Sequence, residues 1–181
     1  MIGMSASAPE LRAIADELGA TEQQVTLAYR RALTRTASAL ATMMRRDLRR
    51  ELDLRGAAAL RRRLRTMRPR RRSNSESVDI WLGQNDLPPG AIRGRPRETA
   101  DGVTFWGQRF PGAFIARMGS GKVSIFKRRA SGRLPIIEQT VYVKDRMDEV
   151  LERRIMPDVM EIFFRNFRAD LRARTQFGAG R

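Results

Sequence analysis

Three observations predict an α+β fold in which terminal helices pack on one face of a small antiparallel sheet. Apolar side chains recur at steps of three and four near both ends of the chain, at Val25, Tyr29, Ala32, Leu33, Thr36, Leu40, Met43, Met44 and Leu48, and again at Met147, Val150, Leu151, Ile155, Val159, Ile162, Phe163, Phe167 and Leu171. Between them, from Glu76 to Val143, the pattern changes to alternation and short β-rich runs punctuated by glycine and proline. The length, 181 residues with 41% hydrophobic content, supports one modest core.

Ser7 with Glu10 makes a capping box for a short helix to Leu18, and Gly19 is placed to end it. Thr21 with Gln24 repeats the box and opens a long amphipathic helix over residues 22–51. At 1.5 Å per residue that helix extends on the order of 45 Å, enough to clamp a sheet lengthwise or to project toward a neighbouring subunit. Gly56 interrupts the period, and residues 57–67 resume it as a short basic helix with Leu60, Leu64 and Met67 on one side, stopped by Pro69. Residues 70–77 read as a polar, basic linker.

Val78, Ile80 and Leu82 alternate with Asp79 and Trp81, a half-buried strand ending at Gly83. Residues 84–101 hold Pro88, Pro89, Gly90, Gly94 and Pro96 and read as a long irregular loop. Loops of that length in compact domains are usually functional or mobile, and Asp86, Arg93, Arg95 and Arg97 are candidate docking residues. Residues 103–106 form a short strand. Residues 113–118 and 123–128 form a hairpin across Gly119-Ser120-Gly121-Lys122, and residues 131–135 turn into a last strand at 136–143. A helix begins near Lys144, where Pro157 kinks it or splits it in two, and residues 175–181 read as a frayed tail. The expected architecture is thus a long N-terminal helix and a short basic helix, a sheet of about five strands, and a C-terminal helix packed on it. Residues 1–72 form an Arg-rich helical region and residues 73–181 the sheet with its helix, the two making one folding unit.

Composition narrows the chemistry. With no cysteine and no histidine, the chain has no disulfide, no Cys/His zinc site, no thiol nucleophile and no imidazole acid or base. Residues 1–20 lack a basic segment followed by an apolar stretch, and no apolar run approaches the roughly 18 residues of a membrane span, so neither secretion nor membrane insertion is expected.

The formal net charge is +16. Residues 30–72 carry sixteen arginines against Asp47, Glu51 and Asp53, which places +13 of that excess in one stretch. Lysine occurs only at positions 122, 127 and 144. Guanidinium groups stay charged and pair bidentately with phosphates and carboxylates. The runs Arg61-Arg62-Arg63, with Arg65, and Arg70-Arg71-Arg72 are therefore candidate contacts for DNA or for an acidic partner.

Other motifs resolve to ordinary structure. Gly119 to Lys122 lacks the spacing, the following hydroxyl residue and the following helix of a phosphate loop, and reads as a turn. Asp79, Asp86, Asp101 and Glu138 show no spacing that requires convergence on a metal, so no metal or cofactor is expected, and a metal-dependent nuclease ranks last among the readings. Phe105, Trp106, Phe110 and Phe114 flank Arg109 in an arrangement that can stack single-stranded bases. They read first as core, with Phe163, Phe164 and Phe167 as partners.

The block Gly107-Gln108-Arg109-Phe110-Pro111-Gly112-Ala113-Phe114-Ile115-Ala116-Arg117, then Gly121 and Val123-Ser124-Ile125-Phe126-Lys127-Arg128, leads into Leu134-Pro135-Ile136 and is preceded by Ile80-Trp81-Leu82-Gly83. Together these resemble the minor tail protein Z family of long-tailed bacteriophages, the tail completion proteins, over residues 21–171. The resemblance implies a structural, non-enzymatic virion protein at the head-proximal end of the tail, assembled in the host cytoplasm. It implies a ring of copies, a hexamer if it matches the sixfold tail tube, that lets head and tail join and the genome pass. Its implied partners are the tail tube, the tail terminator or neck proteins, and genomic double-stranded DNA in the channel. The alternative reading is a basic nucleic-acid-binding module that uses residues 30–72.

Overall fold

The computed structural model describes residues 8–66, 70–72, 75–119, 121–129, 132 and 134–178. Ser7, Met67, Pro69, Ser120 and Ser131, to which the sequence assigns caps, a helix stop and turns, lie outside the described residues. Among those described, the chain forms five α-helices: α1 (Ala8–Glu17), α2 (Glu22–Glu51), α3 (Ala58–Arg61), α4 (Lys144–Val150) and α5 (Val159–Phe177). It also forms ten strands: β1 (Leu64–Thr66), β2 (Arg70–Arg72), β3 (Ser75–Ser77), β4 (Ile80–Leu82), β5 (Arg97–Thr99), β6 (Gly102–Phe105), β7 (Gln108–Pro111), β8 (Ala113–Arg117), β9 (Val123–Arg128) and β10 (Ile136–Glu138).

This corrects the expected single sheet of about five strands with terminal helices. The strands fall into four small antiparallel sheets, ordered β1-β4, β2-β3, β5-β6-β7 and β10-β9-β8. Three local expectations fail with it. The basic helix over 57–67 ends at Arg61, and Leu64–Thr66 is instead β1, paired with β4. The leucine spacing that suggests one helix comes from Leu60 and Leu64 being buried by successive, different elements. The linker over 70–77 is a hairpin, with Arg70 opposite Ser77 and Arg72 opposite Ser75. The irregular loop over 84–101 contains a Leu87–Val141 bridge, a 3₁₀ turn at Pro89–Ala91, an Ile92–Leu54 bridge and then β5. Leu87 and Ile92 are buried, so this segment is tied down by its own apolar residues.

The chain divides into two compact units. The first takes the described residues of Met1–Asp47, Arg62–Gly83 and Glu149–Arg181, and the second takes Leu48–Arg61 and Gln84–Asp148.

In the first unit α2 opens with the expected reciprocal cap: Gln24 N donates to Thr21 Oγ1 (3.3 Å) and Thr21 N to Gln24 Oε1 (2.9 Å). Its outer face carries a column of hydroxyls at Thr26, Thr34, Ser38 and Thr42, each donating to the carbonyl four residues back. Its inner face is built from small residues as much as large ones, with Ala28, Ala32, Ala37 and Ala41 buried beside Leu33, Leu40 and Met44. Short side chains let α5 come close. Gln24 Nε2 donates to Arg174 O (3.3 Å), Arg31 meets Asp170, and Asn166 Nδ2 donates to the buried Thr36 Oγ1 (3.1 Å), so the two helices run antiparallel. Phe163 fills the middle, edge-on to Tyr29 at 5.5 Å and stacked with Phe167 at 6.2 Å. Pro157 stands in the turn between a π-helical turn at Leu151–Ile155 and α5, the split that its missing N–H predicts.

In the second unit β6 and β7 are joined by Trp106-Gly107, both at positive φ (+53° and +77°), the backbone of a two-residue hairpin turn. The hairpin of β8 and β9 forms where the sequence places it, with Phe114 opposite Phe126 and Ile115 opposite Ile125. The aromatic residues pair within units: Phe114 with Phe126 here, and Phe163 with Tyr29, Phe164 and Phe167 in the first. Gly102 is the tightest point of the β5-β6-β7 sheet. Its φ is +149°, and a Cβ there would lie 2.3 Å from the Phe110 carbonyl oxygen and 2.8 Å from the Gly112 nitrogen. Gly102→Ala therefore costs at least about 2 kcal/mol, because backbone rather than a movable side chain must yield. Urea titration of the variant against the parent measures the loss.

Candidate functional site

The arginine clusters named from the sequence are distributed over several elements. Arg61 ends α3 in the second unit; Arg62, Arg63 and Arg65 belong to the first. Arg70, Arg71 and Arg72 are β2, paired in register with β3. The segment from β1 to β2 and the returning segment from β3 to β4 therefore form two antiparallel ladders in succession, and almost every cation lies on the outgoing strands. The fold places Arg65 and Arg70–Arg72 on strands, while Arg61 closes a helix and Arg62 and Arg63 lie in the turn that follows it.

The base of this ribbon is held by alternation. Leu64, Val78 and Ile80 are buried, whereas Arg65 and Trp81, directly opposite each other in the β1-β4 register, both face solvent. Trp81 keeps 41% of its surface exposed. Gly83 N donates to Arg63 O at 2.7 Å and extends the ladder by one step. The Trp81 ring covers Gly83 so closely that a Cβ at position 83 would sit 2.7 Å from the indole edge. The strand that ends in tryptophan, leucine and glycine thus sets a part-exposed indole in register with an exposed arginine. A phosphate chain and a stacked base are what such a pair suits.

The candidate docking residues Arg93, Arg95 and Arg97 are exposed at alternating positions in the second unit. Asp86 is turned to Thr140, whose hydroxyl donates to its Oδ2 (3.3 Å). The segment beneath is fixed by Arg55, which donates from Nε to Ile92 O (3.0 Å) and from Nη2 to Gly94 O (3.2 Å), while Arg93 N donates to Asp53 O (2.7 Å). Arg95 also borders an apolar recess of about 330 Å³ lined by Pro89, Pro96, Phe105, Ile115 and Val123. One face of Trp106 is taken by the Arg146 guanidinium, 3.9 Å above its ring.

Among the described residues no group of three or more carboxylates gathers in a way that could hold a metal ion. Glu138 is engaged by Lys122 Nζ (2.8 Å) and by the Ser124 hydroxyl (2.5 Å). Partial burial pulls its carboxyl upward, but these two hydrogen bonds and the lysine charge outweigh that and hold it below the ordinary 4.5. Asp148 accepts hydrogen bonds from Lys144 and Gln84, and the lysine bond chiefly holds it below the ordinary 3.8.

The chain matches no family model, no curated protein and no solved structure. The residues that carry the resemblance named above occupy β4 and its closing glycine, the β6-β7 turn, β7, β8, β9 and the start of β10. They are turn glycines and strand residues.

The two lowered carboxyls set an acid limit. Their contribution is complete above the unfolded-state values and is lost as pH falls through the lower folded-state values. Stability should therefore be insensitive to these groups between pH 7 and 5 and decline below about pH 4. Glu138→Gln should shrink that decline, as read from thermal melting against pH; an unchanged slope would show that the Lys122–Glu138–Ser124 cluster has no part in it.

Proposed function

We propose that the protein is a structural, non-catalytic subunit of the head-proximal end of a bacteriophage or prophage tail. In this reading copies assemble into a ring that completes the tail, joins neck or terminator proteins and lets the genome pass. The observation that carries it is the arginine ribbon, with exposed Arg65 opposite exposed Trp81 and Arg70–Arg72 paired as β2, on a chain whose resemblance is to tail completion proteins. A two-stranded arm of that charge suits an acidic neighbouring ring or a DNA channel, and a ring closes naturally from repeated head-to-tail contacts. Mass-resolved measurement of the protein alone and mixed with tail tubes tests it: a closed multimer on tube ends is expected. A protein that stays monomeric and joins no tail or neck component contradicts it.

The second reading is a nucleic-acid-binding module. The specific observation in its favour is the paired conformation of β2, because a two-stranded ribbon fits the major groove of duplex DNA. If six to ten phosphates are neutralised, affinity should fall by roughly 10³ to 10⁵ between 50 and 200 mM salt. Replacing Arg61, Arg62, Arg63 and Arg65 by alanine should flatten that dependence. Weak binding in solution with an unchanged salt slope would leave the arginines to protein partners.

A further inference from the structure

We infer that the first unit holds a binding site for a phosphate dianion between α2 and α5. Asp170 is 5% exposed and accepts a hydrogen bond from Arg174 Nε at 2.7 Å, and Arg174 is itself only 10% exposed. That pair is neutral by itself. Arg31 Nε then approaches the other carboxylate oxygen at 3.3 Å and Arg35 Nη1 at 3.9 Å. A single carboxylate thus faces three guanidinium groups, and a local charge of +2 is left over.

The geometry of the excess points outward. Arg31 and Arg35 are one turn apart on α2, and the single Asp170 carboxylate between them, already paired with Arg174, offsets only part of their mutual repulsion. Both are about half exposed, at 56% and 47%, so their remaining N–H donors can reach a ligand. Ala169 and Ala173 offer only methyl groups on the α5 side, which leaves a recess of about 130 Å³ bounded by these six residues. That is about four times the ~30 Å³ share of a liquid water, room for a tetrahedral oxyanion. One carboxylate ligand would leave +1 behind, whereas a phosphate dianion balances the site. Guanidinium forks match its oxygens bidentately.

The buried Asp170 acts here as a positioning residue. It fixes Arg174 and draws the stems of Arg31 and Arg35 toward the recess, while the ligand is met by the two exposed arginines. The site uses none of the ribbon's residues, so its failure and that of the tail reading are separate events.

Two sources supply this chemistry: free phosphate, and a terminal phosphate monoester on a nucleic acid. Isothermal titration of the full chain with inorganic phosphate, in low-salt chloride buffer, should give saturable binding at one site. Arg31→Gln and Arg35→Gln should each weaken it about tenfold or more, the loss of one charge-assisted hydrogen bond. Arg45→Gln, an exposed position further along α2, should leave it unchanged. Parallel titrations with a short duplex bearing either a 5′-phosphate or a 5′-hydroxyl separate the sources. Tighter binding of the phosphorylated duplex, lost in both glutamine variants, assigns the site to nucleic-acid ends; equal binding of the two duplexes assigns it to free phosphate. No saturable heat with inorganic phosphate and no difference between the duplexes would overturn the inference. So would unchanged affinity in glutamine variants that keep the parent's circular dichroism.

Discussion

Thirty-six basic residues share this chain with twenty acidic ones, and no arrangement of its own carboxylates can neutralise them. The fold has to place the surplus where water or another molecule screens it. It does so by giving helices one small, apolar face and leaving their other faces to arginine, and by spending its few buried carboxylates where cations converge. Asp170 draws three guanidinium groups, while the Arg46 side chain hydrogen-bonds its neighbour Asp47 through both Nε (2.8 Å) and Nη2 (3.3 Å). The arginines of β1 and β2 add to a surplus that these carboxylates do not reach.

Packing in the first unit follows from the same constraint. A helix carrying arginine at so many positions has a narrow face left for the core, and α2 fills it with alanine as well as leucine. Alanine contributes little buried area, but it brings α5 near enough for the Asn166–Thr36 hydrogen bond and for Phe163 to settle against Tyr29. The close approach also sets Arg31 and Arg35 beside Asp170. Core geometry and surface charge are therefore one arrangement in this unit, and a bulkier residue at Ala32 or Ala37 would disturb both.

Much of the local structure was readable from residue patterns, and the failures have physical causes. The Thr21–Gln24 box and the unbroken three-four period mark α2 at Glu22–Glu51, and Pro157 marks the break before α5. The β8-β9 hairpin was visible because its strands are short, β-rich and joined by glycines. The pairing of β1 with β4 was not, since nothing local in Leu64–Thr66 specifies a partner more than a dozen residues away, and Leu60 and Leu64 mimic a helical repeat. The strand β7 is hidden by Pro111, and the order of 84–101 depends on bridges to Leu54 and Val141 that lie far along the chain. At the candidate site, the arginine clusters were evident as composition, but the strand placement of Arg70–Arg72 and the opposition of Arg65 to Trp81 exist only once the strands pair. The Asp170 cluster had no signal at all, because its members come from helices at opposite ends of the sequence.

As proposed above, the protein works by fitting into a larger assembly through shape and positive charge. Electron cryomicroscopy of tail tubes incubated with the protein tests it most directly. Added ring-shaped density at one end of each tube is expected, with the arginine ribbon at a protein or DNA contact. Tubes that stay bare at both ends, with the protein spread along free DNA instead, would contradict it.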